Sequence, residues 1–153
     1  MEKLLNKINL FYAAATTVLA AIFGQYWFLF VAFLALNIAD YITGVIKAKM
    51  FHKENSNKGL KGIMKKVGYW LVIAIAFFIS LAFEEFGKII GINLAFVEFF
   101  GWFTLGAFII NEVRSILENL IIMGVEVPAF LIQGLEVASD AIQKKTGKGD
   151  DDK

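Results

Sequence analysis

Long apolar runs separated by short polar segments organise this chain. Ile8–Phe23, Tyr26–Ile46, Val67–Phe83 and Leu94–Ile110 are each dominated by Leu, Ile, Val, Ala and Phe. At 1.5 Å per residue, a helix over the second run is about 31 Å long, the thickness of a bilayer's hydrocarbon core. The first run gives about 24 Å, which suits a thinned bilayer. Only Gly24-Gln25 separates these two. A single helix over both would be about 58 Å long, so a tight helical hairpin is predicted. Beyond Ile110 the pattern becomes amphipathic. Asn111, Glu112, Arg114, Ser115, Glu118 and Asn119 interleave with Ile109, Val113, Ile116, Leu117, Leu120 and Ile121 at helical spacing. Gly124 ends this helix, and Pro128 suits the first turn of another. In that helix Leu131, Leu135, Ala138 and Ile142 form one face.

The predicted fold is an all-α integral membrane protein with about four transmembrane helices and C-terminal amphipathic helices. Residues 1–123 form the transmembrane domain, with spans near 8–23, 26–46, 67–83 and 94–110, the last extended as an amphipathic helix to 123. Residues 124–146 form a cytoplasmic or interfacial amphipathic helix, and 147–153 a disordered tail. Three spans, with Glu2–Phe23 lying flat on the membrane, is the alternative.

Charge sets the orientation. Lys47, Lys49, Lys53, Lys58, Lys61, Lys65 and Lys66, half of the chain's lysines, lie between the second and third runs, against the single acid Glu54. A lysine cluster between two spans reads as a cytoplasmic loop, and its side chains are expected at anionic lipid headgroups. The segment after Phe83 carries Glu84, Glu85 and Lys88 and is poor in cations, as an external loop is. Tyr26 and Trp27 then anchor the outer interface, and Tyr69 and Trp70 the inner one. Both termini are expected in the cytoplasm of a multi-pass protein of the bacterial cytoplasmic membrane.

Composition narrows the chemistry. The chain has 153 residues, 58% of them hydrophobic, and a mean hydropathy of +0.65. A soluble domain is nearer half apolar. There is no Cys, and His52 is the lone His, so disulfides, thiolate sites and multi-His metal sites are excluded. No metal, cofactor or catalytic residue is expected, and no nucleic-acid partner. Glu84-Glu85 has no later His to complete a glutamate protease, and Gly59–Gly62 lacks the Gly-Lys-Ser/Thr ending of a phosphate loop. Lys3 and Lys7 before Ile8–Phe23 resemble a signal-peptide lead-in, but Tyr26, Trp27 and Phe28 stand where small residues mark cleavage, so the segment reads as a retained span.

Polar residues inside the apolar runs are the candidate functional groups. Asn37, Asp40, Gly44 and Lys47 recur at spacings of three, four and three, on one helix face. A carboxylate at the centre of a span costs roughly 2.5–3.5 kcal/mol on insertion scales, so Asp40 is expected to be paired, to line water, or to lie near the interface beside a lysine. Arg114, the chain's only Arg, is four residues before Glu118 and can pair with it along one helix. It also lies at about the depth of Asp40, so an Asp40–Arg114 pair between helices is the other option. Thr16, Ala20 and Gly24 form one small-residue row at four-residue spacing, and Ala13, Thr17 and Ala21 a second. Small residues let helices approach closely in lipid, which makes the first span a candidate oligomer interface.

Three stretches together resemble a known family. They are Asn37-Ile38-Ala39-Asp40-Tyr41-Ile42-Thr43-Gly44-Val45-Ile46-Lys47, Asn55-Ser56-Asn57-Lys58-Gly59-Leu60-Lys61-Gly62-Ile63-Met64-Lys65-Lys66, and Asn111-Glu112 followed by Ser115-Ile116-Leu117-Glu118-Asn119, Gly124, Val127-Pro128 and Leu131. The chain is similar here to the phage holin and toxin-secretion holin family of Gram-positive bacteria and their phages, the family of the clostridial toxin-release holin. The resemblance runs from about Asn37 to Leu131. It implies a protein that accumulates in the cytoplasmic membrane, oligomerises with its own kind and opens a timed lesion, through which endolysin or toxin passes without specific binding. The positions it carries over are Asp40, Thr43 and Gly44, the Lys58–Lys66 segment, and Asn111, Glu112, Ser115, Glu118 and Asn119, as structural or gating candidates. Two rival readings stand beside it. One is a small proton-coupled transporter or ion channel with Asp40 titrating; the other is an antiholin or a membrane anchor for a soluble partner.

Overall fold

In a computed structural model, residues 2–52 and 55–145 are described. Lys53 and the tail at 147–153 lie outside them. The chain is all-α: α1 (Glu2–Phe23), a 3₁₀ turn (Gly24–Tyr26), α2 (Trp27–Met50), α3 (Ser56–Ile90), a second 3₁₀ turn (Ala95–Glu98), α4 (Phe99–Ile122) and α5 (Ala129–Lys145). Among the described residues there is no strand. Three helices are long and apolar enough to cross a membrane by length and composition: α2, α3, and α4 with its preceding turn, Phe96–Ile122. Among the described residues α1 is not one of them.

The chain divides into two compact units, Met1–Ala35 and Leu36–Lys153. In the first, α1 ends where Gly24 adopts φ +71°, a left-handed conformation that only glycine enters without a Cβ penalty. Within α1 the Thr16 hydroxyl donates to the Tyr12 and Ala13 carbonyls at 2.9 and 3.0 Å, and that of Thr17 to the Ala13 carbonyl at 2.8 Å. Hydroxyls bonded within their own turn add no polar demand to the helix surface.

The second unit contains an antiparallel pair, α3 and α4. Asn55 caps α3, its side chain accepting from the amides of Asn57 and Lys58 at 2.9 and 3.3 Å. The helix therefore begins inside the lysine-rich segment and continues unbroken for 35 residues. That corrects the expectation of a lysine loop followed by a separate span: Lys58, Lys61, Lys65 and Lys66 are all helical. Lysine is a good helix former, and the cap satisfies the amides that would otherwise fray. At about 52 Å, α3 exceeds the hydrocarbon core and carries its lysines beyond it.

Close approach of α3 and α4 depends on Gly101. A Cβ there would lie 2.5 Å from the Phe77 ring. The Gly101 amide donates to the Ser80 hydroxyl at 3.3 Å, and that hydroxyl donates to the Ala76 carbonyl at 2.9 Å. Phe77 meets Trp102 edge-on at 5.0 Å, and Tyr69 stacks on Phe108 at 4.3 Å. Ile73 and Leu105 are buried. After α4 the chain passes Gly124 at φ +87° and re-enters helix just after Pro128, whose carbonyl accepts from the Leu131 amide at 3.0 Å. α5 folds back on α4, with the Ile142 side chain 3.5 Å from the Cβ position of Gly106. Ile132, Leu135, Ser139 and Ile142 face a small cavity shared with Leu117 and Ile121 of α4. Of the expected face, Leu135, Ala138 and Ile142 are half-buried, while Leu131, like Ile132, is exposed.

Candidate functional site

The three candidate span helices meet through charged and amide side chains in the second unit. Asp40 and Lys47 come from α2, Lys66 from α3, and Glu112 and Asn119 from α4. Helical spacing brings each set inward. Asp40 and Lys47 are seven residues apart, as are Glu112 and Asn119, so each pair lies on one face two turns apart. Lys66 is rotated about 100° from Lys65, which separates its direction from that of its neighbour.

Lys66 is the centre of the arrangement. Its ammonium sits 2.9 Å from Asp40 Oδ2 and also donates to Glu112 Oε2. The Lys66 and Asp40 side chains are each 16% exposed, and that of Glu112 only 2%. Asn119 continues the network. Its Nδ2 donates to Asp40 Oδ1 at 3.2 Å and to Thr43 Oγ1 at 3.1 Å, while its Oδ1 accepts from Lys47 Nζ. Both amide protons and the carbonyl oxygen of Asn119 are thereby used. The Thr43 hydroxyl donates to the Asp40 carbonyl at 3.0 Å. Gly44 leaves the space beside Asn119 open, its Cβ position being 3.8 Å from Asn119 Nδ2.

Two formal carboxylates, Asp40 and Glu112, face two formal ammonium groups, Lys47 and Lys66, so the cluster is neutral overall. That balance allows charge at a depth where single charges are expensive. It also makes a specific connection between helices. Apolar contact alone favours helix association weakly in lipid, because the surrounding chains are equally apolar, whereas polar contacts select partners and register. The arrangement can hold three helices together while dry, and each of its groups can be solvated by water in its place.

The other sequence-predicted residues fall as follows. Asn37 is buried on the same helix as Asp40. Arg114 Nε donates to Glu118 Oε1 at 3.0 Å on the exposed side of α4. The Asp40–Arg114 option is therefore corrected: Asp40 takes Lys66, and Arg114 stays with the carboxylate one turn along its own helix. Lys47 and Lys66 were expected at headgroups and instead enter the cluster. Lys49, Lys58, Lys61 and Lys65 are exposed, and Lys65 lies over the Tyr69 ring at 5.6 Å from its centroid. Asn111 Nδ2 donates to the Tyr69 hydroxyl at 3.3 Å, and Ser115 lines a cavity beside Asn119. Ala13, Thr17, Ala20 and Gly24 are exposed and Thr16 partly so; the Ala21 side chain lies outside those described. Sequence reasoning did not place Lys66, Glu112 and Asn119 in one site. A signal was present, since Lys66 immediately precedes one apolar run and Glu112 is the second residue after another, which puts them at about one depth in antiparallel helices.

Comparison with known proteins adds to this geometry. The model of the bacteriophage holin family matches residues 17–140. A "Probable holin" of Bacillus phage phi105 is 34% identical, with 76% of this chain and 78% of that protein covered. An uncharacterized protein of Halalkalibacterium halodurans is 34% identical over 90% of this chain and 95% of its own length. One from Clostridium perfringens is 32% identical, at 89% and 93%. No solved structure matches the chain significantly.

Proposed function

The chain belongs to the bacteriophage holin family, and we propose that it acts as a holin, oligomerising in the bacterial cytoplasmic membrane and opening a timed lesion that releases a cell-wall hydrolase or a toxin. The observation that carries this reading is the bridge from Lys66 to both Asp40 and Glu112 across three apolar helices. A closed protein needs its charged groups satisfied inside the chain, because lipid offers them nothing. A lesion needs polar faces to present to water. One cluster meets both needs: intact, it joins α2, α3 and α4; separated, its members line an aqueous surface. It is therefore a two-state element, biased by whatever offers water to its charges.

Oligomerisation is assigned to α1. Its Thr16 and Thr17 hydroxyls are bonded within the helix, so the small-residue rows with Ala13, Ala20 and Gly24 offer close contact without unpaired polar groups. The lysine-rich ends of α2 and α3 are placed in the cytoplasm, and with them the C-terminus; the N-terminus joins it there if α1 crosses as a fourth span.

The test is inducible expression in a bacterial host with and without a cytosolic cell-wall hydrolase, following turbidity and release of a cytosolic enzyme. Abrupt lysis after a delay, and only with the hydrolase, is the expected result. Depolarisation without passage of the hydrolase would replace this reading with a small channel or transporter in which Asp40 titrates.

A further inference from the structure

The charged cluster forms one wall of a larger cavity at the lysine-rich end. This cavity, of about 1060 Å³, opens between α2, α3 and α4. Four lysines line it, Lys47, Lys49, Lys58 and Lys66, against one carboxylate, Asp40. Lys66 is engaged by Asp40 and Glu112, and Lys47 by Asn119. Lys49 and Lys58 are exposed and have no acidic partner among the described residues. The opposing helices thus bring to one cavity two ammonium groups, from the end of α2 and the first turn of α3, that have no acidic partner among the described residues.

Beside the polar Asn55, Ser56, Ser115 and Asn119, the lining has an apolar part that narrows the ligand. Tyr41, Leu60, Ile63 and Ile122 line the cavity and are themselves exposed. A free phosphate would fill a small part of such a space and gain nothing from these side chains. A phospholipid would use both parts, with phosphate oxygens at the lysines and the upper acyl chain along the apolar residues. The lysines also stand at the ends of apolar helices, the level at which headgroups lie.

We propose that this cavity is a binding site for one anionic phospholipid, its phosphate held between Lys49 and Lys58. The site differs from diffuse attraction of basic residues to a charged surface because it requires these two lysines and not others nearby. Lys61 and Lys65 lie on the same helix as Lys58, are exposed, and do not line the cavity. They provide an internal control of equal charge.

The test is native mass spectrometry of the full chain in detergent, titrated with phosphatidylglycerol or phosphatidylcholine. Lipid binding is the readout, so the outcome is independent of whether the protein lyses cells. One phosphatidylglycerol is expected to bind at least about tenfold tighter than phosphatidylcholine. Lys49→Ser with Lys58→Ser should remove that preference, Lys49→Arg with Lys58→Arg should keep it, and Lys61→Ser with Lys65→Ser should leave it unchanged. Equal loss in the Lys61/Lys65 variant would overturn the site in favour of diffuse electrostatics. Loss in the arginine variant would show that packing and not charge was measured, and would overturn recognition of the phosphate. Displacement of the lipid by inorganic phosphate at matching concentration would reassign the cavity to a free anion.

Discussion

Lys66 serves two carboxylates at once, so replacing it removes more than one salt bridge. Lys66→Met leaves Asp40 and the nearly inaccessible Glu112 side by side without a counter-charge. Breaking a buried ion pair from one side typically costs about 3–5 kcal/mol. A loss of that order is expected in thermal unfolding of the detergent-solubilised protein followed by circular dichroism. The triple variant Lys66→Met, Asp40→Asn, Glu112→Gln should recover most of it, because no carboxylate is then stranded and Lys47 keeps its bond to Asn119. A single variant as stable as the parent would mean that these groups are hydrated in the resting state. Asn119→Ala strips partners from Lys47, Asp40 and Thr43 together, and a loss of about 1–3 kcal/mol is expected in the same assay. In cells, Asp40→Asn should shift the onset of lysis. An unchanged schedule would remove that face from the trigger.

Among the helices, the contact of α3 with α4 and the start of α3 make separable predictions. Gly101→Val puts side-chain atoms where the Phe77 ring now lies. Overpacking of this kind costs about 1–3 kcal/mol, and Phe77→Ala in the same chain should relieve part of it. A double-mutant cycle on thermal stability measures that coupling. Asn55→Ala removes the cap of α3 and should cost about 1 kcal/mol. The effect should be local: hydrogen exchange is expected to quicken at Ser56–Gly59 and to stay slow from Tyr69 onward. The apolar part of α3 from Val67 was legible as a span. Its lysine-bearing first turns were not, because charge content marks an exposed segment without saying whether the backbone is helical. The cap residue Asn55 was the available signal.

In the assembled protein, α5 distinguishes a pore former from an anchor. It packs on α4 through Leu135, Ser139 and Ile142, outside the network of Asp40, Lys66 and Glu112. Deleting Pro128–Lys153 should therefore leave membrane depolarisation intact in expressing cells. Complete loss of activity with normal membrane insertion would favour an anchor that recruits a soluble partner through α5.

The helical class, the membrane environment, the three apolar helices α2, α3 and α4 and the face bearing Asp40 were legible from residue order, because each depends on local hydropathy and on the fixed period of a helix. The family was legible too, since its motifs are local strings such as Asp40-Tyr41-Ile42-Thr43-Gly44. Partner choice was not. Asp40 had Lys47, Lys66 and Arg114 within reach at similar depth, and depth is all that counting residues supplies. Which cation faces it depends on how α3 and α4 are rotated about their axes, and that rotation is set by contacts far apart in sequence, among them Gly101 against Phe77 and Tyr69 against Phe108. Those contacts turn Lys66 and Glu112 inward and leave Arg114 facing out with Glu118. The links from Lys66 and Asn119 to Asp40 bring α2 alongside, so that Lys49 and Lys58 line one cavity, a proximity between helices that no spacing along the chain encodes.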